Sequence, residues 1–187
     1  YSAMTHRVGL KPMEDEYILM GMAAYGDEVL ARQVSDQMST VYFDAKPWMS
    51  GKLALKMTQN VHRGVSPDSF AGVDDMVIAR AAQMQAEQRI FKYCEYAKSV
   101  TGCDNLIYGG GVALNCLANT QLFDLYKNIW IMPNPGDAGS SLGAAALYYH
   151  TQTGKQVNWS GAYLGTNIPG DYPVKKALES LRKNKIF

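Results

Sequence analysis

Between Phe70 and Val100, apolar residues recur at helical spacing. Val73, Val77, Met84, Phe91 and Cys94 fall near one face, and Arg80, Glu87, Lys92, Glu95 and Lys98 take polar positions. The pattern predicts a long amphipathic helix whose apolar stripe packs on a sheet. Closer to the N-terminus, MGMAAYG ends in a turn or helix stop at Gly26. DEVLARQVSDQM (27–38) has the caps and periodicity of a short helix. VYFDA and LALKM follow as strand candidates, with Pro47 and Gly51 breaking the chain between them. Two short apolar stretches in the first segment surround an acidic cluster at Glu14, Asp15 and Glu16. Solvated surface is the ordinary reading of such a cluster, and a catalytic role is the sharper one.

After Val100 the alternation tightens. NLIYGG reads as a buried strand and ALNCLANTQLFDLY as a helix that begins beyond the glycines. NIWIMP is a second strand, NPGDAGSS a loop, and LGAAALYYHTQTG a helix ended by Gly154. Strand, glycine loop, helix, repeated, predicts an α/β arrangement in which Leu106–Tyr108 and Ile129–Met132 are neighbours in one sheet flanked by helices. Ligands of such folds collect at the carboxyl ends of the strands, where both glycine loops belong.

Composition narrows the classes. The net charge of +1 gives no general attraction to nucleic acid or anionic membrane, so neither is expected as a partner. No apolar run has the roughly 18 residues of a spanning helix, and no signal peptide is visible. Cys94, Cys103 and Cys116 are odd in number and scattered, which fits a reducing, cytoplasmic setting better than a disulfide framework or a zinc knuckle. The start at Tyr1 and the end at LRKNKIF both read as cuts from a longer protein. Oligomeric state is not legible in the sequence.

Two loops carry the candidate chemistry. Gly109, Gly110 and Gly111 supply backbone N–H groups that a nucleotide phosphate could use near a helix start, or they serve tight packing alone. They form neither a Walker A motif nor a G-x-G-x-x-G fingerprint. Asn115 either binds a ligand or satisfies the helix start. Asp137 lies between Gly136 and Gly139 in the second loop. It either caps the following helix, in competition with Ser140 and Ser141, or holds a metal or a Mg²⁺–phosphate group. His6, His62 and His150 are dispersed and make no metal-binding pair, so a complete metal site from this chain alone is not expected.

At these residues the sequence resembles a known family. EDEYILMGMAAYGD (14–27), GGGVALNCLANTQL (109–122) and IMPNPGDAGSSLGAAALYY (131–149) are similar to ordered blocks of the NodU/CmcH-type carbamoyltransferases, which act in antibiotic and nodulation-factor biosynthesis. The family's long helix also falls between the first two blocks. The resemblance covers nearly the whole chain, least securely over 40–70. It implies part of an actin/Hsp70/sugar-kinase-like (ribonuclease H-like) ATPase domain with a mixed sheet flanked by helices. Residues 1–160 would be the later portion of that domain, and 161–187 a bridge toward a C-terminal domain that makes carbamoyl-adenylate from carbamoyl phosphate and ATP. The larger domain then passes the carbamoyl group to the hydroxyl of a small-molecule acceptor.

The same resemblance assigns the residues. Gly109, Gly110, Gly111 and Asn115 match the loop that contacts ATP or carbamoyl-adenylate. Asp137 matches the aspartate that joins two histidines of an N-terminal H-x-x-x-H in holding a divalent metal, commonly iron. The histidine pair has no counterpart here and would lie upstream of Tyr1, so the isolated chain is expected to perform no transfer. No general base is identified. Two other readings stay open: a nucleotide-binding regulatory or scaffold domain of the same superfamily, and a carbamoyl-transfer enzyme acting on tRNA, for which the neutral charge gives no support.

Overall fold

A computed structural model describes residues 1–42, 65, 68–159, 161, 165, 176 and 183. They fall into two compact units, Tyr1–Ser140 and Ser141–Phe187. The first unit holds α1 (Ser2–Arg7), α2 (Glu16–Met22), α3 (Glu28–Tyr42), α4 (Asp75–Thr101), β1 (Asn105–Tyr108), α5 (Cys116–Gln121) and β2 (Asn128–Ile131). Helix α6 (Ser140–Thr153) begins at the last residue of the first unit, runs into the second and ends at Gly154, whose φ of 68° stops it.

Helix α3 forms where its periodicity places it. Ala31, Val34, Ser35 and Met38 are buried at helical spacing, and Asp27 accepts the Leu30 N–H at 2.8 Å to cap the first turn. Val41 and Tyr42 end this helix, so the strand expected over VYFDA does not start there. The helix continues through β-branched and aromatic residues whose own preference is extended, because local propensity yields to tertiary context. The rest of that candidate, and LALKM, lie outside the described residues.

Helix α4 is the long helix, 27 residues capped by the Asp74 carboxylate on Met76 N–H and closed by Gly102 at φ 64°. Its burial differs from the single stripe expected. Val77, Ile78, Ala79, Ala81, Ala82, Gln83 and Gln85 are all buried, whereas Cys94 is the buried residue of the second half. The first half is surrounded by α1, α2, α3 and α5, so small alanines replace a stripe of large residues. Gly26 belongs to the same packing: a Cβ there would lie 2.3 Å from the Met76 carbonyl oxygen. The acidic cluster at Glu14–Glu16 builds a turn. Asp15 and Glu16 accept the N–H groups of Lys11 and Met13, and Glu14 pairs with the Lys11 ammonium at 2.6 Å.

The strands β1 and β2 pair in parallel, with Leu106 opposite Ile129 and Tyr108 opposite Ile131, as the alternation requires. Among the described residues the sheet is two-stranded. Leu106, Tyr108 and Ile129 pack inward on Cys94, Leu122 and Tyr126, and the alternate Ile107 and Trp130 are exposed. The expected helix over 113–126 is broken into a 3₁₀ turn (Gly111–Leu114), the six-residue α5 and a second 3₁₀ turn (Leu122–Asp124). Asn115, at φ −77° and ψ 87°, leaves the helical region and restarts the chain as a cap.

Asp104 ties the sheet's entry to α4. Its carbonyl accepts the N–H groups of Lys127 and Asn128, and its carboxylate pairs with Lys127 at 2.9 Å and Lys98 at 3.2 Å. Lys98 also donates to the Leu125 carbonyl and lies over the Tyr126 ring. Hydrogen bonds from Lys127 and then Lys98 hold the Asp104 carboxyl below its ordinary range. A depressed carboxylate stabilises the fold above its unfolded pKa, and that contribution disappears as pH falls through the folded value. The stability difference between wild type and D104N should therefore be constant from neutral pH to about 5 and shrink below about pH 4, measured by urea midpoints across pH. A difference that grows on acidification would refute this role for Asp104.

Candidate functional site

Both glycine loops leave the carboxyl ends of paired strands, and a hydrogen bond joins them: Gly110 N–H donates to the Pro135 carbonyl at 2.7 Å. Gly110 has φ 98°, a conformation open to glycine and costly for a side chain. A Cβ at Gly136 would lie 3.9 Å from the Gly111 Cα, so the two backbones run side by side.

The glycines divide by what surrounds them. At Gly139 a Cβ would fall 1.9 Å from the Asn134 carbonyl oxygen, so close packing of the second loop on itself excludes any side chain. At Gly109, Gly110 and Gly111 a Cβ would meet nothing within 4 Å. Internal packing therefore accounts for Gly139, whereas no described residue packs against the triplet's side-chain positions. The N–H groups of Gly111 and Val112, at the start of the 3₁₀ turn, have no acceptor among the described residues. Two successive unpaired backbone donors on exposed residues suit an anionic oxygen.

Asp137 opens the 3₁₀ turn Asp137–Gly139 and is exposed. No side chain caps that turn, and the Asp137 carboxylate makes no hydrogen bond or ion pair among the described residues. No capping hydrogen bond from Asp137 is present among the described residues. Asn115 is engaged differently. Its Oδ1 accepts from Ala118 N–H at 3.1 Å and from Gln83 Nε2 at 3.0 Å, and its Nδ2 donates to Gln83 Oε1 at 2.9 Å. It caps α5 and is locked to α4, which leaves one Nδ2 proton.

Sequence reasoning missed the groups behind this loop. Gln83 is fully buried, Asn119 Nδ2 donates to the Ala113 carbonyl at 2.7 Å, and Gln121 Nε2 donates to Glu87 Oε2 at 3.0 Å. The available signal was Gln83 and Glu87, one turn apart in an alanine-rich stretch of α4. The remaining titratable groups are not assembled into a reactive cluster. Burial pushes the Cys94 thiol up, which marks a packing residue and not a nucleophile. His150 Nδ1 lies 3.0 Å from the Lys155 carbonyl, and His62 is outside the described residues. Among the described residues no three His, Cys, Asp or Glu side chains could together hold a metal ion, and no helix is long and apolar enough to cross a membrane.

Two parallel strands flanked by helices define a mixed α/β domain. The family model described as Carbamoyltransferase N-terminus matches residues 1–146, which include both loops, and the chain belongs to that family. Similar proteins include an uncharacterized protein of Synechocystis sp., 33% identical over 190 residues that cover 91% of this chain and 31% of that protein. An uncharacterized protein of Methanocaldococcus jannaschii is 28% identical over 189 residues, 100% of this chain and 35% of that protein. The nodulation protein NolNO of Sinorhizobium fredii is 27% identical over 178 residues, 89% of this chain and 25% of that protein. The chain thus spans between a quarter and about a third of the length of these relatives.

The contrast between the two kinds of glycine can be measured. G139A should lose about 1–3 kcal/mol of stability, because the Asn134 carbonyl must move. G111A should stay within about 0.5 kcal/mol of wild type, because its methyl group enters open space. Urea unfolding of both variants decides it, and equal losses at the two positions would show that the triplet is packed after all.

Proposed function

We propose that this chain is part of an O-carbamoyltransferase that passes a carbamoyl group from carbamoyl-adenylate, made from carbamoyl phosphate and ATP, to the hydroxyl of a small-molecule acceptor. It forms the later portion of an actin/Hsp70/sugar-kinase-like domain over 1–160, with 161–187 leading toward an adenylate-forming domain. Membership of the carbamoyltransferase family supports the class of reaction. The observation that carries the site is the Gly110–Pro135 hydrogen bond, which sets an open glycine triplet beside a loop bearing an unpartnered carboxylate.

Each residue then has a task. Gly109, Gly110 and Gly111 let the backbone approach the nucleotide, and the Gly111 and Val112 N–H groups donate to its phosphate or to charge developing on the carbamoyl oxygen. Asn115 fixes the back of the loop and can offer its remaining amide proton. In the reaction the acceptor oxygen attacks the carbamoyl carbon, the bond from that carbon to the phosphate oxygen breaks, AMP leaves, and the hydroxyl proton passes to a base.

Asp137 fits a divalent metal as one ligand: it is an exposed, unpartnered carboxylate that hard cations and iron both accept. One carboxylate does not make a site, and the family pattern assigns two histidines outside this chain to complete it. A cation held there would polarise the carbamoyl carbonyl. Asp137 contributes negative charge toward it, and the adjoining Gly136 keeps the loop near Gly111.

Replacing Asp137 by Asn in the full-length protein tests the assignment, since Asn keeps the size and removes the charge. D137N should fold, lose most bound metal by elemental analysis, and lose carbamoyl transfer at least about a hundredfold while carbamoyl-adenylate formation persists. Full metal content with unchanged transfer would reject the metal role. Nucleotide binding without any transfer in the wild-type full-length protein would favour a regulatory or scaffold domain.

A further inference from the structure

Gln83 has no obvious reason to be buried. It is 0% exposed in the middle of α4 with Ala79 and Ala82 buried nearby, where an apolar side chain would fill the same volume without a polar group to satisfy. Every hydrogen-bonding position of its amide is used. Oε1 accepts from Tyr1 Oη at 2.8 Å and Asn115 Nδ2 at 2.9 Å, and Nε2 donates to Asn115 Oδ1 at 3.0 Å and Glu87 Oε1 at 2.9 Å.

The two ends of this chain of bonds have fixed polarity. Both Glu87 oxygens accept, from Gln83 Nε2 and Gln121 Nε2, so Gln83 turns Nε2 toward it. The Ala118 backbone N–H only donates, so Asn115 must turn Oδ1 toward it. Gln83 and Asn115 fit between these ends in one orientation only, as a reciprocal amide pair. A flip of either side chain would set two acceptors or two donors against each other in a buried place. Glu87 also receives Gln121 Nε2, so α4 grips α5 near both of its ends.

We infer that Gln83 is a positioning residue of the glycine loop, acting through Asn115. Asn115 ends the 3₁₀ turn that Gly111 begins, and its own N–H closes back on the Val112 carbonyl at 3.0 Å. Its orientation therefore sets where the Gly111 and Val112 donors stand. A six-residue helix has too few internal bonds to hold that place itself. Gln83 supplies the rigidity from the part of α4 that packs against α1, α2, α3 and α5. The consequence for nucleotide binding rests on the function proposed above, and the placement of the loop does not.

The test uses the full chain with Q83M, which keeps volume and removes the amide, read by amide hydrogen exchange and by binding of Mg²⁺–ATP. Exchange at Ala113, Asn115 and Ala118 should quicken at least about tenfold, with buried α3 amides changing less than about twofold. The ATP dissociation constant should rise about tenfold. Asn115→Ser supplies a cap whose polarity needs no partner, so in that background Q83M should no longer affect loop exchange. Loop and α3 amides quickening together, or an undiminished Q83M effect in the Ser background, would overturn the inference. Loosened loop amides with no ATP binding by wild type would uphold Gln83's role and count against the nucleotide reading. Should Q83M not fold, E87A strips one bond from Gln83 and one from Gln121. Exchange at Ala118 should then quicken a few-fold with α3 unchanged, and an unchanged Ala118 would overturn the inference.

Discussion

The buried first half of α4 can hold a polar group only if that group is fully bonded, and two glutamines meet this constraint in opposite directions. Gln83 and Gln85 are two residues apart, about 200° around the helix, so their side chains leave on different faces. Gln85 Nε2 donates to the Ser35 hydroxyl at 2.7 Å and its carbonyl at 3.0 Å, which fastens α3. Gln83 fastens Asn115 and with it α5. Alanines occupy much of the surface between them, so neighbouring backbones approach closely. An apolar interface alone would tolerate small slips of α5 along α4. The paired amides do not, because a slip strands buried donors and acceptors.

That rigidity matters most where the chain has least of its own. The segment from Gly109 to Asn115 contains three glycines and a single 3₁₀ turn, and nothing packs where the glycine side chains would be. It is held at its ends: in front by Gly110 on Pro135, behind by Asn115 on Gln83 and by Asn119 on Ala113. The second loop is built in the opposite manner, with Gly139 pressed onto its own Asn134 carbonyl. One loop is fixed by internal closeness and the other by ties to its neighbours. The tied loop keeps its donors open, and the close-packed one presents a carboxylate that nothing in the described chain neutralises.

Much of this was legible in the sequence where local pattern and tertiary environment agree. The α3 period, the paired strands and the stop at Gly154 all follow from residues whose preference and burial coincide. The stripe predicted for α4 packs at Val73, Val77, Met84 and Cys94, but periodicity, which reports one packed face, did not show that Ile78, Ala79, Ala81, Ala82, Gln83 and Gln85 are buried as well. VYFDA misled for a related reason: Val41 and Tyr42 suit a strand, but they continue a helix already paid for by packing on α4. The two glycine loops could be found from composition alone. That they touch, and that Asn115 is spent on α4, depends on a partner 32 residues away, which spacing does not reveal.

The sequence could not have ranked the glycines either, since the same residue type serves opposed ends. Gly26 and Gly139 stand where another backbone occupies the space of a side chain, and any larger residue costs stability. Gly109 and Gly111 stand where no described residue occupies that space, so packing among the described residues places no demand on them. The open side of the triplet, its unbonded donors and the free Asp137 carboxylate lie on loops joined by one hydrogen bond. Donors for an anion beside a carboxylate that suits a cation are what the proposed group-transfer function rests on, more than the glycines by themselves.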